Sequence, residues 1–133
     1  MHLFFTQINS MRVLVVDDDS IYLLILRKIF EMSNDEVVLA KNGLEALNCL
    51  KQNPNFHVIL TDIIMPVMDG IEFLTHLKQN LQFRSIPVIG FTAGDVDYYR
   101  NSFPVKFDIL LPKPHDLWDL YSLAKAKATK EIN

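Results

Sequence analysis

The sequence predicts an α/β fold in which a parallel sheet lies between two layers of helices. Short apolar runs enriched in β-branched residues recur five times along the 133 residues. Each run is followed by a segment with helical signals. The runs are also apolar on both faces, as strands buried between helices must be, and right-handed crossovers put those helices on both sides of the sheet.

The first run, Arg12 to Val16, ends in Asp17, Asp18 and Asp19. Asp19 with Ser20 reads as the N-cap of a helix starting near Ile21. The second run is Glu36 to Ala40, after which "NGLE" opens a helix: Asn42 caps and Glu45 reaches back. The third, His57 to Leu60, leads into "TDIIMPVMDGIE", where Asp69 and Glu72 repeat that arrangement and Met65 and Met68 pack the loop onto the sheet. The fourth, Pro87 to Phe91, precedes a helix that Pro104 must end early. The fifth, Phe107 to Leu111, runs into Pro112, which has no N–H for a sheet ladder and therefore suits an edge strand. The last helix, about His115 to Lys130, carries Leu117, Leu120, Tyr121, Ala124 and Ala128 on one stripe, with lysines at its tail. Trp118, Tyr98 and Tyr99 read as ordinary packing. Residues 1–10 read as an N-terminal extension, 11–128 as one domain and 129–133 as a C-terminal tail.

Composition narrows the function. Half the residues are hydrophobic, enough for a substantial core, and the net charge of -3 supplies no basic field for nucleic acid. The single cysteine, Cys49, forms no internal disulfide and suits a reducing compartment. "MHLFFTQINS" has no basic n-region, so no signal peptide is expected. The richest apolar stretch, Ile21 to Phe30, is interrupted by Arg27 and Lys28 and is far shorter than the roughly 20 residues a bilayer requires. A cytoplasmic location follows as the expectation, without membrane association and without a separate output domain.

In a parallel sheet the strand ends meet along one edge, and open α/β sheets bind ligands at that carboxyl edge. Here the ends deliver Asp17, Asp18 and Asp19, then Thr61 and Asp62, then Thr92, then Lys113. Two carboxylates about 5 Å apart repel by roughly 3 kcal/mol at an effective dielectric near 20. A hard divalent cation relieves this. Mg²⁺ fits, since it is held by one or two carboxylates while keeping waters and a phosphate oxygen. His2, His57, His76 and His115 are dispersed, and no Cys/His spacing resembles a zinc site. Lys113 adds a second compensating charge.

The acid pair in "VVDDD", the stretch "DIIMPVMDG", "FTA" at the end of the fourth strand and "KP" after the fifth make the chain resemble a response-regulator receiver domain of two-component systems, of the stand-alone chemotaxis type. The resemblance spans about Met11 to Ala128. It implies a flavodoxin-like (βα)5 sandwich with strand order 2-1-3-4-5. It also implies that Asp62 is the phosphoacceptor, Asp18 a direct Mg²⁺ ligand, Asp17 a ligand largely through water, and the Ile64 backbone carbonyl a further ligand. Thr92 would hydrogen-bond the phosphoryl group, and Lys113 would pair with Asp62 or the phosphate. The implied donor is a phosphohistidine on a sensor histidine kinase or phosphotransfer protein. The output is altered binding of a downstream protein, by a monomer or a dimer formed on phosphorylation, without turnover catalysis.

The chain departs from the family pattern at three places. Leu110 replaces the aromatic usually found three residues before the lysine, and Phe107 lies further back on that strand, where alternation makes it an imperfect substitute. The stretch "RNSFPVKFD" lacks the usual glycine before the fifth strand. Ile64, two residues after the acceptor, is apolar and is expected to restrict the hydrolytic water. The resemblance also implies a cis Lys113–Pro114 bond, a form whose cost is low only before proline. Two rival functions remain: a degenerate receiver that docks without phosphorylation, and a Mg²⁺-dependent phosphatase, whose D-x-D-x-T/V loop is not found around Asp62. A flavin carrier lacks its phosphate loop after the first strand.

Overall fold

The computed structural model describes residues 5–6 and 10–131. The chain forms β1 (Phe5–Thr6), β2 (Arg12–Val16), α1 (Ser20–Glu31), β3 (Glu36–Ala40), α2 (Gly43–Gln52), β4 (Val58–Asp62), α3 (Gly70–Gln79), β5 (Val88–Thr92), α4 (Val96–Asn101), β6 (Ile109–Pro112), α5 (Leu117–Ala128) and β7 (Lys130–Glu131). Five parallel strands are ordered β3-β2-β4-β5-β6, which is the expected 2-1-3-4-5 once the short β1 is set aside.

Alternation along the strands divides the core into two. Leu14, Val16, Ile59 and Val88 face one layer with Leu50 of α2 and Phe73, Leu74 and Leu77 of α3. Val13, Val15, Val58, Leu60, Ile89 and Phe91 face the other, against Leu23, Leu26 and Phe30 of α1 and Leu120, Ala124 and Ala128 of α5. Each fully buried large apolar side chain contributes about 1.5–3 kcal/mol, so the three central strands β2, β4 and β5, buried on both faces, are the most heavily anchored. The edge strand β6 is only half-buried, and α4 has no buried residue. As expected, Pro112 lies on that edge strand and α4 is short.

Local chemistry sets the helix starts. The Asp19 carboxylate accepts from the Ile21 and Tyr22 N–H groups at 3.0 and 3.3 Å. Asn42 accepts from Glu45 N–H at 2.9 Å, but Glu45 answers through Lys41 N–H at 3.0 Å rather than through the cap residue itself. Asp69 accepts from Glu72 N–H at 2.9 Å, and Glu72 returns no bond to the cap. α5 is shorter than expected. Asp116 caps it by accepting from Asp119 N–H at 2.8 Å, leaving His115 outside, and Lys130 belongs to β7. β7 pairs antiparallel with β1, so Phe5 and Thr6 of the extension meet Glu131 and Lys130 of the tail. Residues 1–4, 7–9 and 132–133 lie outside the described residues.

Candidate functional site

The sheet brings the acids of β2 and β4 together. Asp17 is fully buried, Asp62 is nearly so, and Asp18 is exposed. Each offers a carboxylate oxygen, and these oxygens lie within 4.8 Å of one another. Asp17 Oδ1 accepts from Asp19 N–H at 2.9 Å, and Asp62 Oδ1 accepts from Ile63 N–H at 2.8 Å. Gly70 lets the start of α3 close on this point: a Cβ there would stand 2.4 Å from the Asp62 carbonyl oxygen.

Lys113 enters from the far side of the sheet. Its backbone N–H donates to the Thr92 carbonyl at 2.8 Å, and its peptide bond to Pro114 is cis. The ammonium donates to Asp17 Oδ2 at 2.7 Å and stands 3.6 Å from Asp62 Oδ2. It also lies 4.3 Å from the centroid of the Tyr22 ring.

Burial pushes the Asp62 carboxyl up to about 6; the charge of Asp17 adds to this, while Lys113 and the Ile63 N–H oppose it. Burial also raises Asp17, outweighing its hydrogen bond to Lys113. For Lys113, burial pulls downward, but the Asp17 hydrogen bond and the two carboxylate charges leave the ammonium above the usual lysine value. The cluster therefore holds more negative charge than the lysine neutralises.

A hard divalent cation fits this donor set. All the side-chain donors are oxygen, and oxygens around one Mg²⁺-sized ion stand about 3–4 Å apart, close to the spacing present. Lys113 already occupies Asp17 Oδ2, so a cation bound through that oxygen would have to compete with the ammonium.

The hydroxyl of Thr92 is buried and accepts from Gly94 N–H at 2.9 Å; it makes no hydrogen bond to Asp62. Ile64 lies in the loop after β4, and its half-exposed side chain helps line an open pocket of about 510 Å³ over Asp62, with Tyr22, Ala93, Lys113 and Pro114. Tyr22 escaped the sequence reading. Its one signal was its place in the first turn after the Asp19 cap, where helical side chains lean back toward the preceding strand end.

Residues 13–125 match the family model described as the response regulator receiver domain. The chain belongs to the response-regulator receiver family. It is 32% identical over 124 residues to the probable transcriptional regulator ycf29 of Pyropia yezoensis, covering 92% of this chain and 55% of that protein. The receiver spans about half the length of the first curated relatives it matches. Among solved structures, the chemotaxis response regulator CheY4 of Vibrio cholerae superposes with a TM-score of 0.79 at 27% identity, covering 89% of this chain and 98% of that one. The Mn²⁺-bound form of response regulator Rcp1 gives 0.72 at 26% identity, covering 87% and 90%. Receiver domains are signalling domains rather than turnover enzymes. No helix among the described residues is long and apolar enough to cross a membrane.

In this receiver Leu110 is half-buried and pairs in register with Gly90. Phe107 precedes the strand, because β6 begins only at Ile109, so strand alternation does not govern its ring. The ring covers Gly90, where a Cβ would meet Phe107 Cδ1 at 2.8 Å. Tyr98 and Tyr99 do more than pack in isolation. With Phe103 they form a cluster with centroids 5.1 to 6.2 Å apart, and a Cβ on Gly94 would lie 3.2 Å from Tyr99 Cε2 and 3.3 Å from Thr92 Oγ1.

Proposed function

We propose that this receiver is a phosphorylation-activated switch in which Asp62 accepts a phosphoryl group from a phosphohistidine donor. The observation that carries the reading is the juxtaposition of the Asp17, Asp18 and Asp62 oxygens within 4.8 Å, beside the Lys113 ammonium. Asp17, Asp18, Asp62 and the Ile64 carbonyl would hold Mg²⁺. That ion supplies charge neutralisation for the ionised Asp62 and for the equatorial phosphoryl oxygens. Similarity to a receiver whose structure holds Mn²⁺ supports a divalent cation of this class.

The chain's own groups do the rest. Asp62 is the nucleophile: a carboxylate oxygen forms the bond to phosphorus as the phosphorus–nitrogen bond of the donor breaks, and the released imidazole nitrogen keeps the electron pair. Lys113 stands 3.6 Å from Asp62 and is placed to pair with the incoming phosphoryl oxygens. The Thr92 hydroxyl, whose oxygen accepts from Gly94, keeps its proton available for donation to the same group. That donation would bias the segment from Gly94 into α4, the most lightly anchored part of the domain, and so alter a protein-binding surface. The location is cytoplasmic, and the functional unit is residues 11–128.

Intact-mass measurement after incubation with acetyl phosphate and Mg²⁺ tests the reading. Wild type gains one phosphoryl group, and Asp62→Asn gains none. An unmodified wild type would instead mark a domain that docks without phosphorylation.

A further inference from the structure

We infer that Tyr22 is a positioning residue whose ring holds the Lys113 ammonium between Asp17 and Asp62. This deepens the phosphoacceptor reading and rests on it for its role in transfer. The ammonium lies 4.3 Å from the Tyr22 centroid and 5.7 Å from that of Phe91, while reaching Asp17 at 2.7 Å and Asp62 at 3.6 Å. Two carboxylates and two ring faces therefore surround one cation.

The lysine stem needs such a holder. Its backbone is fixed through the bond to Thr92, but the four-carbon chain beyond it is flexible and its head is free to choose between carboxylates. The Tyr22 ring is itself held on two sides. Its backbone N–H is tied to the Asp19 cap, and its ring packs on Phe91 with centroids 5.6 Å apart and planes tilted by 59°. The run Asp17 to Asp19 thus does two jobs: Asp17 binds the ammonium directly, and Asp19 starts the helix turn that brings a ring over it.

An aromatic face attracts a cation through its quadrupole, and a leucine of similar size does not. This attraction does not depend on which carboxylate the ammonium is serving. Were a cation to engage Asp17, the ring would keep Lys113 within reach of Asp62 rather than release it to water. The tyrosine hydroxyl plays no part in this, so phenylalanine should serve as well.

The test is a double-mutant cycle on the full chain, read as the rate of phosphorylation by acetyl phosphate with Mg²⁺, with folding checked by circular dichroism. Tyr22→Leu is expected to lower the rate about three- to tenfold, and Tyr22→Phe to stay within about twofold of wild type. In a Lys113→Met background, Tyr22→Leu should have no further effect. An equal loss in both backgrounds overturns the inference, because a purely structural role acts with or without the lysine. A second measurement needs no phosphorylation: the Lys113 ε-methylene proton resonances should be shifted upfield by the ring in wild type and Tyr22→Phe, and return to ordinary values in Tyr22→Leu. Ordinary values in wild type would overturn the inference even if Asp62 takes phosphate normally. A wild type that takes no phosphate would instead sink the functional reading while the resonances still decide the contact.

Discussion

The two sides of the carboxyl edge are built differently. On the β2 and β4 side every strand residue beyond Arg12 is buried, and Asp17 and Asp62 are held by backbone N–H groups. On the β5–α4–β6 side, Thr92 sits at the limit of the buried structure: beyond it α4 buries nothing and β6 is half-buried. Charge is thus collected on the anchored side, and the segment able to respond lies on the light one. The proposed switch would draw on that asymmetry, because a new hydrogen bond moves only what little packing opposes.

The contrast makes unequal demands on matched substitutions. Leu60→Ala, in the fully buried centre of β4, should cost about 2–5 kcal/mol in chemical denaturation. Leu110→Ala, half-buried on the edge strand, should cost about 1 kcal/mol. Equal costs would erase the distinction.

The anchored side should also carry an electrostatic cost, set first by the burial of Asp62 and second by the charge of Asp17. With its pKa raised to about 6, folded Asp62 holds its proton more tightly than the unfolded chain does. In that window the native state binds more protons, so in the absence of divalent cations stability should fall as pH rises from about 4 to 6. The raised Asp17 acts in the same direction. Asp62→Asn should then stabilise the metal-free protein at neutral pH by roughly 1–3 kcal/mol, and thermal melts with added Mg²⁺ should narrow that gap. A pH-independent melt would contradict this account of the cluster.

Ile64 lies where the two sides meet, exposed at the mouth of the Asp62 pocket. Ile64→Asn replaces an apolar wall with a group able to orient water and should speed loss of the phosphoryl group by about two- to tenfold, equivalent to about 0.4–1.4 kcal/mol of barrier. An unchanged decay would remove Ile64 from any role in lifetime. The smallest effect is expected at Val67, which holds a φ of 69° in the loop between Asp62 and α3. A β-branched residue is strained there, and Val67→Gly should stabilise the fold by about 0.5–1 kcal/mol in denaturant titration.

Much of this organisation was legible in the chain. Strand-end convergence is a topological rule, so once five parallel strands were read, Asp17, Asp18, Asp62, Thr92 and Lys113 had to share an edge. Caps such as Asp19 and Asn42 were legible because they act within a few residues. The β1–β7 pair was not, since two-residue strands carry no periodicity and these lie at opposite ends of the chain. The start of α5 was misplaced because Asp116 has the same capping chemistry as residues elsewhere in the chain.

The sequence by itself determined which residues reach the carboxyl edge, because that follows from the order of strands and the period of their side chains. Only the tertiary structure decided how they are engaged: Lys113 on Asp17 and under Tyr22, Thr92 turned to Gly94, and the Phe107 ring over Gly90. Those choices depend on distances of a few ångströms between side chains far apart in the chain, and no local pattern of residues encodes them.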